Sequence, residues 1–498
     1  MPEDRFSFLD GQADRLLILL AGGSALIYFT AITAYFTHGN ALLFSLLIFS
    51  EIFHLWQSLT FLYTVWDTKL TARSDASYHV PVDIYITVAG EPVEIVEITA
   101  RASIAMTYTE HKVFLLNDGK VAKKENWTQI EALAKRLNIE CITREVPGGA
   151  KAGNINNALR QTSAPLVVIF DADHVPHPDF LQKTVGYFAD PKMAFVQTPQ
   201  YYVNFATNMV TEAAWEQQQL FFGPLCKGKN RLGSVFMCGT NMVLRRTAVI
   251  EAGGMCETNI AEDFLTSLFI HERGWKSAYV PEVLAEGLAP EDFLSYYKQQ
   301  FRWARGSLEV IFRYNPLLRR GLSWPQRIQY LASASYYLSG FVVVINAAMP
   351  LIFFFTGLVP FQISTMNLAA AFIPYIFLNL YILQVSSNFT YTFRALSFSV
   401  SSFWLQIRAV TAVLIKEKTV FAVTSKTAIQ GNFLIYATPH LIYFGLTLIG
   451  LGYATWREGI SAALVTNLAW ALLNCVIFSQ FVAAAAPQKQ TEALEAHA

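Results

Sequence analysis

Val167-Val168-Ile169-Phe170-Asp171-Ala172-Asp173-His174 reads as a buried strand that stops abruptly on two carboxylates one residue apart. In an open α/β sheet, ligands gather outside the carboxyl ends of the strands, so Asp171 and Asp173 sit at a mouth rather than in a core. Burying either one unpaired carries a large desolvation cost. A hard divalent cation held together with a nucleotide diphosphate would use both. An ordinary strand end whose aspartates start a turn fits the same residues, so the surrounding chain has to decide.

Upstream, Val82–Val88 reads as a strand, a helix follows from Glu91, and Lys112–Leu116 is a second strand ending in Asn117-Asp118-Gly119. A helix over Trp127–Leu137, a strand near Ile139–Thr143 and a helix over Lys151–Leu159 lead into the strand that ends at Asp171. Such alternation implies a mostly parallel sheet covered on both faces. Asp118, like Asp171, falls just after a strand, which favours one nucleotide–metal crevice over two unrelated turns. Downstream come a helix near Phe180–Phe188, a strand near Ala194–Gln197 and a long amphipathic helix through Ala213–Leu220. Gly239-Thr240-Asn241 is read as separating two short strands. Glu262 and Asp263 precede an apolar run and suit a helix N-terminus, a dipole role that is the plain alternative to chemistry. Glu291–Tyr314 places Tyr296, Tyr297, Phe301, Trp303 and Phe312 at helical spacing, as in a helix lying on a membrane surface.

The composition fits a membrane protein. Lys+Arg and Asp+Glu balance at 37 each, only 15% of residues are charged and 53% are hydrophobic, which argues against nucleic-acid binding and disorder. Five cysteines (Cys141, Cys226, Cys238, Cys256, Cys475) form no C-x-x-C pair, so neither a zinc site nor a disulfide framework is indicated. Leu16–Phe36, Ala41–Trp66, Leu331–Phe355, Leu368–Val385, Gly431–Gly452 and Ile460–Val482 are long apolar runs, each near the ~20 residues that span a bilayer. The second contains Glu51 and His54 one turn apart, either an interior polar path or a simple pair. Phe389–Lys418, with Arg394, Arg408, Lys416 and Lys418, is read as an interfacial helix. The cations cluster on one side: Lys69, Arg73 and the central region with Arg394, Arg408, Lys416, Lys418 and Lys426, whereas the hairpins near Gly39 and Pro360 carry none. By the positive-inside rule the central domain and both termini are cytoplasmic. The expected domains are residues 1–66 (two spans), 67–329 (catalytic α/β domain), 330–486 (membrane region, with a loop at 416–430) and a disordered tail at 487–498.

Short signals occur in one order: Asn117-Asp118-Gly119, Lys151-Ala152-Gly153-Asn154, Asp171-Ala172-Asp173-His174, Gln197-Thr198-Pro199, Cys238-Gly239-Thr240-Asn241, Ala261-Glu262-Asp263, Gln299-Gln300-Phe301-Arg302-Trp303 and Phe421-Ala422-Val423-Thr424-Ser425-Lys426. From about Val82 to Thr427 the chain resembles the processive family 2 glycosyltransferases of membranes, of the bacterial cellulose synthase catalytic subunit type. The resemblance implies a GT-A type α/β domain embedded in a bundle of about six transmembrane helices, in the bacterial inner membrane. It also implies a UDP-sugar donor, Mg2+ or Mn2+, a growing polysaccharide acceptor, membrane lipid and accessory subunits as partners. Glu91, Asp118, Lys151 and Asp171 are the implied nucleotide contacts. Asp173, with Asp171, is the implied metal site. Asp263 is the implied general base beside Glu262. Gln299, Arg302, Trp303, Cys238, Gly239 and Thr240 are the implied donor and acceptor contacts, and Phe421, Val423, Thr424 and Lys426 the implied gating loop.

The chemistry agrees with these roles. A sugar leaving a diphosphate needs charge neutralised on the leaving oxygens, which a metal and an arginine supply. The attacking hydroxyl needs one carboxylate within hydrogen-bond reach. Trp303 as a membrane-belt aromatic and Arg302 as a snorkelling cation are the plain alternatives. Ala261 stands where the family has Thr, and Val88-Ala89-Gly90-Glu91 keeps only Glu91 of a segment that usually ends Tyr-Asn-Glu. The chain is expected to lack a C-terminal β-barrel for a cyclic dinucleotide, which leaves such control to another subunit. The expected function is synthesis and export of a β-glucan, glucose and β-1,4 linkage favoured over β-1,3 or mixed. A non-processive transferase acting on a lipid carrier and a transporter with a nucleotide-binding domain are the rivals.

Overall fold

The computed structural model describes residues 3–70, 72–417 and 429–487. Seven strands form the main sheet: β1 (Val82–Val88), β2 (His111–Asn117), β3 (Glu140–Thr143), β4 (Leu166–Asp171), β5 (Met193–Gln197), β6 (Met242–Arg245) and β7 (Lys276–Tyr279). Their spatial order is β7-β5-β6-β4-β1-β2-β3. β6 runs antiparallel to β4 and β5, and every other pairing is parallel, the mixed and mostly parallel sheet expected. All of β1 is buried, which explains its near-continuous apolar sequence: helices cover both faces. Its acidic exception, Asp83, accepts from Arg246 at 2.8 Å and from the Ala164 backbone at 3.0 Å.

The chain runs β1 to β2 to β3 in one direction and then places β4 on the other side of β1. That reversal opens a crevice at the carboxyl ends of β1 and β4. Pairing sets Thr87 beside Asp171 and Val88 beside Asn117. Glu91 and Asp118 therefore follow the ends of β1 and β2, and Asp171 ends the adjacent β4.

One face of the sheet is covered by the Val93–Ile104 and Trp127–Leu137 helices through Val96, Ala100, Ile130 and Leu133. The other face packs on the Ala150–Leu159 and Met209–Leu220 helices, and its core continues to Tyr296, Phe398 and Phe481. Tyr296 meets Phe398 edge to face at 5.5 Å, a contact type that contributes about 0.5–1.5 kcal/mol beyond its area. The sheet and the later helices thus share one core. The segment ahead of the first span joins it too: Phe8, in the Glu3–Leu9 3₁₀ helix, packs on Trp215 at 5.2 Å.

Among the described residues, six helices are long and apolar enough to cross a membrane: Arg15–Tyr35, Ala41–Val65, Trp324–Thr356, Met366–Ser386, Leu434–Glu458 and Ala462–Ala485. Four readings change. Residues 234–238 form no strand, because side chains occupy their backbone groups: Met237 N–H donates to Ser267 Oγ at 2.8 Å and Cys238 N–H to Gln197 Oε1 at 2.8 Å. The helix near Phe180–Phe188 is α-helical only over Phe180–Thr184 and then 3₁₀ over Val185–Ala189. Phe389–Lys418 yields two helices, Phe393–Ser401 and Phe403–Leu414, broken at Ser402, with Phe398, Leu405 and Val410 buried. On the Phe293–Glu309 helix, Tyr296 and Tyr297 turn into the protein rather than outward. The loop residues Phe421, Val423, Thr424 and Lys426 and the tail from 488 lie outside the described residues.

Candidate active site

Asp171 is the last residue of β4, and three segments converge on it. Thr87 of β1 donates to Asp171 Oδ1 at 3.1 Å. The Asp171 N–H donates to Thr240 Oγ1 at 2.9 Å. Lys151, in the first turn of the Ala150–Leu159 helix, donates to Asp171 Oδ1 and to the Gly239 carbonyl, the latter at 2.8 Å. Burial opposes the Asp171 charge, but Lys151 and His174 outweigh it and hold the carboxyl below its ordinary range. Burial likewise opposes the Lys151 charge, and Asp171, Glu262 and Asp263 outweigh it in turn.

Beyond the strand end, ligand atoms of Asp171, Asp173 and His174 lie within 4.8 Å of one another. Asp173 and His174 are buried. The His174 Nδ1 is 3.4 Å from Asp173 Oδ1, and neither ring nitrogen has a hydrogen-bond partner among the described residues. Gly287 lies against the ring, so that a Cβ there would be 2.5 Å from Nε2. An imidazole buried without partners is costly unless something binds it. The two carboxylates fit Mg2+ or Mn2+, and the imidazole nitrogen suits the transition metal Mn2+ better than the harder Mg2+. His174 was legible as the neighbour of Asp173, but only its burial marks it as a candidate ligand.

Asp118 is tied up differently. Arg144 donates to both of its oxygens, Nε at 2.7 Å and Nη2 at 2.6 Å. Burial raises the Asp118 carboxyl and Arg144 opposes the rise. Arg144 went unnoticed in the sequence because nothing near it marks a site. Glu91 Oε2 accepts from the Ala89 N–H at 2.6 Å, which bends the chain leaving β1 back on itself.

A second acid pair opens the Glu262–Glu272 helix. Ala261 occupies the N-cap with no side-chain acceptor, and Asp263 Oδ1 accepts the Phe264 N–H at 2.7 Å instead. Both carboxyls are pushed up, burial first; for Glu262 the Asp263 charge adds to it. Gly239, at φ +84°, lets the segments close: a Cβ there would be 3.2 Å from Asp263 Oδ2 and 3.7 Å from Lys151 Nζ. Asp171, Lys151, Gly239 and Asp263 therefore form one continuous cluster. Cys238, next to it, is held by Gln200, which donates to its carbonyl at 2.9 Å.

The Phe293–Glu309 helix carries Gln299, Arg302 and Trp303, spaced to share one face. Gln299 lies beside Tyr202, a buried phenol that also feels Asp173 and Asp171. Burial opposes the charge of Arg302, which also feels the charges of Glu262, Asp171 and Asp263. Trp303 is half-buried.

Similarity to known proteins agrees with this geometry. The family model for "Glycosyltransferase like family 2" matches residues 81–306, and that for "Cellulose synthase" matches 250–433. The "Cellulose synthase catalytic subunit [UDP-forming]" of Pseudomonas fluorescens (strain SBW25) is 31% identical over 447 residues, 86% of this chain and 60% of that relative. "Cellulose synthase 2" of Novacetimonas hansenii is 31% identical over 428 residues, 82% of this chain and 26% of that one. This chain therefore spans less than two thirds of the length of either relative. Among solved structures, a mannosyltransferase of Pyrobaculum calidifontis in complex with GDP-Man and Mn2+ superposes with a TM-score of 0.53 at 17% identity. That match covers 76% of this chain and all of the other, and it shows the shared GT-A fold.

Proposed function

Because the chain belongs to the cellulose synthase-like family 2 glycosyltransferases, we propose that it polymerises a hexose from a UDP-sugar, with UDP-glucose as donor. The product is a β-glucan, β-1,4 linked, passed across the bacterial inner membrane through the helices that share the catalytic core. The catalytic domain and both termini face the cytoplasm, where the donor is made; the distribution of cations supports this. The observation that carries the reading is the pairing of two acid sites whose carboxyls are shifted in opposite directions, joined by Lys151 and Gly239.

Asp173 and His174, with Asp171, would hold Mg2+ or Mn2+, which when bound neutralises the diphosphate. Arg302, which feels the charges of both acid pairs, stabilises charge growing on the leaving oxygen. Asp263 takes the proton of the acceptor hydroxyl as that oxygen bonds to C1. The bond from C1 to the UDP oxygen breaks, and UDP leaves with the electron pair. One displacement inverts C1, so an α-linked donor gives a β-linked product. Trp303 offers a ring face to the acceptor sugar without fixing its register. Asp118 and Glu91 line the nucleotide end; the gating-loop residues Phe421, Val423, Thr424 and Lys426 lie outside the described residues. Lipid surrounds the spans, and accessory secretion or regulatory subunits are the further partners.

The test is to supply membranes holding the protein with individual UDP-sugars and Mg2+ or Mn2+, then measure UDP release and size the product. UDP-glucose is expected to give a long polymer with 1,4 linkages. A single-sugar lipid product would overturn processivity, and no UDP release from any UDP-sugar would overturn the enzymatic reading.

A further inference from the structure

The helix that carries Asp263 is fixed at its far end by a buried hydrogen-bonded chain. His271, one residue before the end of the Glu262–Glu272 helix, is 1% exposed. Its Nδ1 is 2.8 Å from the Tyr330 hydroxyl and its Nε2 is 2.9 Å from Ser277 Oγ. Ser277 donates its own proton to the Val235 carbonyl at 3.1 Å, so it accepts from the ring. This assigns the proton to Nε2, and Tyr330 then donates to Nδ1. Every polar atom in the chain is used. Burial pushes the His271 pKa down to about 3, so the ring stays neutral and the directions of donation are kept.

Tyr330 belongs to the Trp324–Ser335 helix, the start of the third candidate span. Its ring also packs on Phe264, the residue after Asp263, at 5.3 Å between centroids. Tyr330 thus touches both ends of the base helix. The near side is tied by Ser267, which accepts from Met237 N–H at 2.8 Å and donates to the Asp263 carbonyl at 2.7 Å. Met237 lies two residues before Gly239, which itself abuts the Asp263 carboxylate.

We propose that His271 is a positioning residue for the transfer reaction: through Tyr330 and Ser277 it sets the base helix, and with it the Asp263 carboxylate, relative to the membrane helix. The proposal rests on Asp263 acting as the base. Tyr330→Phe keeps the ring and removes only the donor to Nδ1. The full-length protein with this change is expected to release UDP from UDP-glucose with kcat about tenfold lower, since small misplacements of a catalytic group carry large rate penalties. KM for the donor should stay within about twofold, and amide exchange over residues 264–267 should quicken. His271→Gln, which retains a donor toward Ser277, should recover part of the rate lost in His271→Leu. Wild-type kcat and unchanged amide exchange in Tyr330→Phe would overturn the proposal, as would equal loss in both His271 variants in step with lost folded protein. If the wild type itself releases no UDP, the functional reading fails instead, and amide exchange alone then decides whether Tyr330 holds the helix.

Discussion

The acid pair that ends β4 and the acid pair that starts the Glu262–Glu272 helix contain the same chemical groups in opposite electrical settings. At the strand end, Lys151 and His174 stand beside Asp171 and pull its carboxyl below the ordinary range. At the helix start, burial dominates and Glu262 and Asp263 both rise. Lys151 feels both sites, yet the carboxylate it hydrogen-bonds is Asp171. The difference teaches a division of labour: a carboxylate that must stay charged is given a hydrogen-bonded cation, and one that must accept a proton is raised by burial. The strand end therefore suits the metal and diphosphate, and the helix start suits the acceptor hydroxyl.

Removing the base should break this comparison most severely. Asp263→Asn is expected to lower kcat for UDP release about 10³-fold, within the range of general-base contributions, while donor KM changes little. Activity near wild type would mean that the helix-start pair is not the base. Asp173→Ala should come next, with about 10²-fold loss and a flattened response to added Mg2+ or Mn2+. Metal titration of the initial rate checks it, and an unchanged titration curve would remove Asp173 from the metal site.

A pH profile sharpens the contrast further. Asp263 works only when ionised, so activity is present above its raised pKa and falls about tenfold per pH unit below it. The acid limb should therefore lie well above the ordinary aspartate range. The Asp263 charge adds to the rise at Glu262, so Glu262 is still protonated where Asp263 ionises, and Glu262→Gln should leave that limb in place. A limb that moves to lower pH would show that Glu262 is charged when Asp263 takes up its proton.

Much of the fold was legible because its signals are local. The runs at Val82–Val88 and Trp127–Leu137 announce strand and helix with the same ends that the structure gives them. The position of Asp171 at a strand end followed from Val167–Phe170 alone. Residues 234–238 misled because Val235, Phe236 and Met237 have the composition of a strand; their backbone partners are side chains of Gln197 and Ser267, distant in sequence. Tyr296 and Tyr297 misled because aromatic content does not distinguish a ring facing lipid from one facing Phe398 or Tyr436. Within the site, the motifs named Lys151, Asp171 and Asp263 but not their contact. That contact depends on the close approach of Gly239, which has no sequence periodicity to reveal it. Arg144, bound to Asp118, was hidden for the same reason.

Gly239 gives the finest test of the comparison, because it stands between the two acid sites. Its φ of +84° falls where an L-residue is strained, by about 1–2 kcal/mol. A Cβ would also sit 3.2 Å from Asp263 Oδ2, tighter than ordinary van der Waals contact, so the carboxylate would shift by a few tenths of an ångström. The Gly239 carbonyl would still be there to accept from Lys151, and neither acid would be removed. Gly239→Ala is therefore expected to leave the metal response intact and to lower kcat severalfold to about tenfold, through displacement of Asp263 alone. Initial rates across a metal titration separate the two sites. A changed metal response with unchanged kcat would mean that Gly239 serves the strand end rather than the base.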